Sequence, residues 1–289
     1  MSLVTLDFES QYLHMNTKIG VILPDLPHGD DPKTFYASGE KYRVLWLLHG
    51  TYGDYSDWIR KSKIELYACK HNLIVVMPSG LNANYINWPK FGQGYEMEDH
   101  LIHELMPMVT SWFPASGRRE DNFIAGLSMG GNGSLIYALN YPEKFAKAAI
   151  LSSCAREYSK ELLASEREEG KYWFENMVSM MGGEEAFLSS TVNVRRTIEE
   201  LMKAGKEETL PQLFFAYGDK DHGYADFLDF LDFARKQHFP LTYEVIPGYR
   251  HEWRFWDLAI QDALYFFGIG EATERCDGFQ TINGSRQGD

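Results

Sequence analysis

Short apolar runs alternate with helical segments along most of this chain, and that alternation leaves few architectures open. "RVLWLLHG", "LIVVMP", "NFIAG", "KAAILSS" and "PQLFFAYG" are near-continuous apolar runs, the pattern of strands covered on both faces. "LTYEVIPG" closes the series. Between and after them lie stretches with helical spacing: "DYSDWIRKSKIELYACKHN", "MEDHLIHELMPMVTSWFP", "GNGSLIYALNYP", "GYADFLDFLDFARKQH" and "HEWRFWDLAIQDALYFFG". Ahead of all of these, "SLVTLDFES" and "NTKIGVILP" alternate with period two and predict an antiparallel pair. Repeated strand–helix units predict an α/β fold, a mostly parallel twisted sheet of about eight strands with helices on both faces. Pro107 is expected to kink its helix or to belong to a later turn.

The stretch from Arg156 to Thr209 breaks the alternation. It is rich in charge and has helical segments but no buried-strand pattern. It is expected to form a lid-like helical insertion (156–209) between the sixth and seventh strands of one domain, 1–268. The remaining residues, 269–289, are polar and expected to be a loosely attached tail. In open parallel sheets ligands bind beyond the carboxyl ends of the strands. The loops after Leu48, Gly126, Gly218 and Gly248 should therefore converge.

One of those loops carries Gly126-Leu127-Ser128-Met129-Gly130, set between the run "NFIAG" and a helix. Glycine and serine form turns wherever a strand must become a helix. In this context the pattern reads instead as a turn so tight that only glycine fits at its flanks, holding up Ser128 as a nucleophile. A serine hydroxyl needs a base, a group to orient that base, and donors for a developing oxyanion. Of nine histidines, His251 follows the last strand directly and is the expected base, with His222 the alternative. For the orienting acid, "YGDKDHGY" offers Asp219 and Asp221. Asp221 is preferred, because Asp219 directly follows Gly218 and is better placed to close the turn. The oxyanion amides are expected from Met129, at a helix N-terminus, and from Thr51, after Gly50. His100 and His103, three apart on an acidic helix, read as a solvated face rather than a metal pair. No further ligand motif supports zinc.

Bulk properties narrow the partners. Net charge is −13, from 28 Lys and Arg against 41 Asp and Glu. That argues against nucleic acid and against an anionic membrane. No signal-peptide pattern and no spanning apolar run stand out, and three widely spaced cysteines suit reduced thiols in a cytoplasm. The partner expected is a small molecule; a homo-oligomer is compatible with the sequence, which leaves the oligomeric state open.

Taken together, "LLHG" followed by "DW", "GLSMGGNGS" with "YPEKF" behind it, the "YGDKD" loop and "HEWRFWD" resemble the esterase D-like group of α/β-hydrolases. That group includes tributyrin-type esterases, the first carbohydrate esterase family (acetyl xylan and feruloyl esterases) and S-formylglutathione hydrolases. The resemblance spans Leu3 to Phe267 and is strongest to the tributyrin esterase branch. It implies an α/β-hydrolase fold, a Ser128–His251–Asp221 triad, oxyanion amides on Thr51 and Met129, and cofactor-free hydrolysis of short acyl esters, acetyl to butyryl, with acetylated or feruloylated sugars among the substrates. A thioesterase of the S-formylglutathione hydrolase type or an acyltransferase would use the same machinery. A binding protein on a hydrolase scaffold is the non-enzymatic alternative. Trp88, with Tyr172, Trp173 and Phe174 from the insertion, is expected to line the substrate pocket, although aromatic side chains serve as core at least as often.

Overall fold

The computed structural model describes residues 2–170 and 172–284, with the side chains at 172–174 outside that description. The strands, in chain order, are β1 (Ser2–Ser10), β2 (Met15–Leu23), β3 (Val44–Leu48), β4 (Ile74–Pro78), β5 (Asn87–Trp88), β6 (Tyr95–Glu96), β7 (Asn122–Leu127), β8 (Lys147–Leu151), β9 (Gln212–Gly218), β10 (Leu241–Ile246) and β11 (Gln280–Ile282). Nine of them make one sheet in the order β1-β2-β4-β3-β7-β8-β9-β10-β11, and β5 pairs with β6 alone. From β4 to β10 the neighbours in the main sheet are parallel; β1, β2 and β11 are antiparallel additions at its edges.

The buried strands show why those sequence runs carry no polar face. In β3, Val44, Trp46 and Leu48 face one core while Leu45 and Leu47 face another. Helices Met129–Asn140 and Tyr224–Gln237 cover the first side, and Ile64–Lys70 and Trp253–Phe267 cover the second. Side chains alternate with period two along a strand, so a strand between two helical layers must be apolar at every position. Between β8 and β9 the chain leaves the sheet as helices Lys160–Glu168, Tyr172–Met181, Glu184–Ser189 and Val194–Lys203. Leu163, Phe187 and Ile198 of this excursion are buried in the first core.

The structure departs from expectation in three places. All eight expected strands are in the sheet, but β11 makes a ninth, drawn from the stretch read as a loose tail. It pairs with β10 through Leu241↔Ile282 and Tyr243↔Gln280. Pro107 belongs to a later turn, one of its two expected roles, but the backbone ahead of it is not a plain α-helix. A π-helical segment, His100–Leu105, widens the backbone just before it, and the proline then occupies the first turn of Met106–Trp112, where its missing N–H is tolerated. His100 is not on a solvated face: it is fully buried, with Nδ1 2.6 Å from Glu104 and 3.0 Å from Ser10. Among the described residues no helix is long and apolar enough to cross a membrane.

Candidate active site

The chain runs from β3 outward to β4 and returns to β7 on the other side of β3. The carboxyl ends of β3 and β7 thus flank the point where strand order reverses, the place where open α/β sheets bind ligands. Ser128 follows β7 directly, at φ 52° and ψ −118°, a left-handed backbone that a residue with a Cβ rarely adopts. Its amide donates to Leu151 O at 2.8 Å, and its carbonyl accepts from Asn132 N at 3.0 Å. The two flanking glycines are required for room. A Cβ on Gly126 would lie 2.3 Å from Gly130 O, and one on Gly130 would lie 2.5 Å from His49 O. Helix Met129–Asn140 therefore backs directly onto β7 and β3, with its positive end at Ser128.

The loop after β3 is held just as firmly. His49, 1% exposed, accepts from the Gly80 amide at Nε2 (2.8 Å), so its Nδ1–H must be the donor to Gly50 O at 2.7 Å. Burial lowers the imidazole pKa and keeps the ring neutral, outweighing the pull of the Gly50 carbonyl and of Asp57. The Gly50 carbonyl also takes the Gly53 amide at 3.1 Å. In a trans peptide the N–H points opposite to the C=O, so this fixes the Thr51 N–H away from His49. Among the described residues nothing accepts from that N–H, whereas the next amide, of Tyr52, is taken by Asn82 Oδ1 at 2.8 Å. Gly50 packs on the turn after β7 itself: a Cβ there would sit 3.4 Å from Ser128 Cβ. Trp58 donates its indole N–H to Leu48 O at 3.0 Å, which braces the end of β3 and gives the "DW" pair a structural task.

The loops after β9 and β10 meet as the acid and base require. Lys220 N donates to Tyr249 O at 3.0 Å, and Asp219 Oδ1 takes the Gly248 amide at 2.6 Å. Asp219 thus clamps the two loops, and it is Asp221 that meets His251. Asp221, 6% exposed, accepts from His251 Nδ1 at 2.8 Å and from the Gly223 amide at 2.9 Å. Burial alone would raise its pKa. Hydrogen bonds from His251, Gly223 and Ser152 outweigh that and hold the carboxyl below its ordinary value. His251 stands edge-on to Trp256, ring centres 5.0 Å apart. Trp256 in turn donates to Ser152 Oγ at 3.0 Å. His222 lies beside this group, exposed, its Nδ1 3.5 Å from Asp221 Oδ1. Asp221, His222 and His251 bring ligand-type atoms within 4.8 Å of one another, but the acid and His251 already satisfy each other.

Ser128, Asp221 and His251 line one cavity of about 200 Å³, together with Thr51 and Met129. Sequence reading brought all five to this place. A second cavity of about 500 Å³ adjoins it, sharing Thr51 and Met129 and walled by Trp88, Phe91, Tyr95 and Met180. Trp88 is thus at a cavity wall as expected, whereas the side chains of Tyr172, Trp173 and Phe174 lie outside the described residues. Sequence reading missed Ser152, at φ 50°, whose hydroxyl joins Trp256 to Asp221. The only trace it leaves is a serine at the carboxyl end of a buried run. It also missed the hairpin of β5 and β6, whose two-residue strands are too short to show periodicity.

The chain is similar to known proteins over most of its length. The model of a family described as "Putative esterase" matches residues 10–267. An acetyl esterase of Caldicellulosiruptor saccharolyticus is 29% identical over 267 residues, covering 91% of this chain and 97% of the relative. The fluorophosphonate-binding serine hydrolase F of Staphylococcus aureus superposes with a TM-score of 0.77 at 28% identity, over 92% of this chain and 98% of that one. The S-formylglutathione hydrolase FrmB of the same organism gives 0.74 at 28%, with the same coverage.

Proposed function

The chain belongs to the putative esterase family, and from that premise we propose that Ser128 is the nucleophile, His251 the base, Asp221 its orienting acid, and the Thr51 and Met129 amides the oxyanion donors. The protein is an α/β-hydrolase and a serine carboxylesterase acting on small ester substrates. In the proposed cycle His251 Nε2 takes the proton of Ser128 as Oγ attacks the ester carbonyl. The tetrahedral oxyanion forms at the N-terminus of helix Met129–Asn140, where N–H groups are free of intrahelical partners. His251 then gives its proton to the departing alcohol, leaving an acyl group on Ser128, and water activated by the same imidazole releases the acid. Asp221 stays ionised throughout. Its carboxylate, shielded from solvent, fixes the tautomer with Nδ1–H and stabilises the imidazolium.

The observation that carries this reading is the 2.8 Å Asp221–His251 hydrogen bond on the wall of the cavity that also contains the strained Ser128. A fluorophosphonate probe tests it. Wild type should be labelled on Ser128 and lose activity in step, and Ser128→Ala should not label. Labelling at any other residue, with Ser128→Ala still active, sinks the assignment. The likeness to an S-formylglutathione hydrolase supports one further reading, that thioesters are also cleaved. Parallel assays of an acetyl thioester and the matching oxygen ester separate the two, since only a thioesterase should favour the thioester well beyond its intrinsic reactivity. Free cysteines at 69, 154 and 276 support a reducing, cytoplasmic location.

A further inference from the structure

The cleft has two arms of opposite character, and they meet at the proposed oxyanion residues. Thr51, Asn84, Met129 and Met177 line both. The smaller arm holds Asp221 and His251 and is bordered by Asn132, Arg156 and Asp226, with Arg156 and Asp226 3.9 Å apart at the surface. The larger arm, about 500 Å³, contains neither member of the acid–base pair. Its floor is the cross-strand pair Trp88↔Tyr95 of the β5–β6 hairpin. Trp88 donates its only polar hydrogen to Ala83 O at 2.7 Å, so it presents a fixed apolar face. Phe91, half exposed at the rim, packs edge-on against Tyr95. Met177 and Met180, from the inserted helix Tyr172–Met181, close the other side with side chains that adapt to irregular shapes.

Chemistry assigns the arms. In the tetrahedral adduct the carbonyl carbon carries Ser128 Oγ, the oxyanion, the alcohol oxygen and the acyl chain. The alcohol oxygen must face His251 to be protonated as its bond to carbon breaks. The oxyanion faces the Thr51 and Met129 amides. The acyl chain is left the direction past those amides and away from His251, which is the larger arm. We propose that this arm is an acyl-binding subsite for apolar acyl groups longer than butyryl, and that the polar arm receives the alcohol. The inference rests on the assignment of Ser128 and His251 above. A cavity in the range of ~300–1,000 Å³ encloses drug-sized ligands, so a two-carbon acetyl group leaves most of it empty. Each further methylene that becomes buried should raise kcat/KM, up to roughly four-fold per methylene at full burial.

Two substrate series on the full-length protein test this. One holds the alcohol at ethyl and lengthens the acyl group from acetate through butyrate and hexanoate to decanoate. The other holds the acyl group at acetyl and lengthens the alcohol from methyl to hexyl. The expected result is a kcat/KM that climbs past butyrate in the acyl series, and a flat or falling one in the alcohol series. Met180→Trp, which fills the larger arm, should cut the octanoate-to-acetate ratio at least ten-fold and leave the hexyl-to-methyl ratio of the acetates where it was. A wild-type acyl series that peaks at acetate overturns the subsite, as does a climb in the alcohol series that Met180→Trp abolishes, which would reverse the arms. The wild-type profiles decide the question even if the variant fails to fold. Loss of both hydrolysis and fluorophosphonate labelling in wild type would instead remove the Ser128 assignment, so the two failures are distinguishable.

Discussion

At Gly130 the space for a methyl group is already filled by backbone, since the carbonyl oxygens of His49 and Leu48 lie 2.5 and 2.6 Å from where a Cβ would stand. Backbone of a central strand cannot move aside as a side-chain tip can. Gly130→Ala should therefore cost about 1–3 kcal/mol of stability through overpacking, and it should lower kcat/KM at least as steeply by shifting Ser128 against the Thr51 loop. Urea unfolding and ester hydrolysis on the same preparation measure both, and a variant that keeps wild-type activity would remove the close approach as a requirement of the site. Asp221 makes a different demand. It is held ionised, below its ordinary pKa, so its hydrogen bonds add stability that is present above pH ~4 and is lost as the pH falls through its folded value. Asp221→Asn keeps the shape and removes the charge. Its kcat should fall by about 10⁴-fold, the scale expected when the imidazole loses its orienting carboxylate, and its melting temperature should drop at neutral pH, where the wild-type carboxylate adds stability, by more than it does in acid. His49 acts through another group, by turning the Gly50–Thr51 peptide. His49→Phe should lower kcat by ~10²–10³-fold, the scale of one lost oxyanion donor, while KM moves far less; a KM effect alone would show that the ring only shapes the loop.

Among the elements, β10 lies beside a buried ion pair that ties the C-terminal segment to the last helix. Asp262, fully buried on helix Trp253–Phe267, takes Arg275 Nε at 2.7 Å and a second guanidinium nitrogen at 2.9 Å. Glu244 of β10 is buried beside them, and burial together with the Asp262 charge pushes its pKa up to about 9. One cation therefore balances one anion, with Glu244 protonated. The native state holds a proton that the unfolded chain gives up near pH 4.5. Stability contributed by this site is thus full below that pH and is lost as the pH rises towards 9. Glu244→Gln removes that dependence. It should stabilise the protein at pH 8 on the order of a few kcal/mol and have little effect at pH 4.5, as read from melting curves at the two pH values; an equal shift at both would mean that Glu244 is ionised in the fold. The same segment shows why the ninth strand was illegible. Gln280–Ile282 is three residues long and has one buried side chain, too little for a period to register, and its partner is set by the β10 edge rather than by its own composition. The π-helical segment before Pro107 was equally hidden. A proline states that a hydrogen bond is missing, but whether the helix stops or widens depends on the packing of Leu101, Ile102 and Leu105 in the core.

For the whole molecule, the net charge of −13 sets a field around the cleft that repels anions and is screened over ~10 Å at 0.1 M salt. An anionic substrate such as a succinate monoester should gain several-fold in kcat/KM between ~20 and ~200 mM salt, while a neutral ester of similar size stays level. If the anionic ester instead loses activity with salt, Arg156 at the mouth of the polar arm dominates over the global charge. At this scale the fold was largely readable in advance. Eight of the nine main-sheet strands and the longer helices between them follow from apolar runs and spacing, because a strand buried on both faces and a helix buried on one leave periods that short windows capture. The strand order could not be read that way, as β3 lies between β4 and β7 only through tertiary pairing.

What the amino-acid string determined alone was the class of fold and where along it the proposed reactive groups lie: a serine between space-limited glycines, a histidine after the last parallel strand, and an acid in the loop before it. Only the tertiary structure decided which acid turns to His251, since Asp219 and Asp221 are two residues apart and differ in which loop atoms they meet. It also decided that the Ser152 hydroxyl joins Trp256 to Asp221, and that two cavities of unlike polarity meet at Thr51 and Met129. Local sequence records the backbone state each segment prefers. Hydrogen-bond partners and empty volume arise from segments far apart in the chain, and they exist only once those segments are packed together.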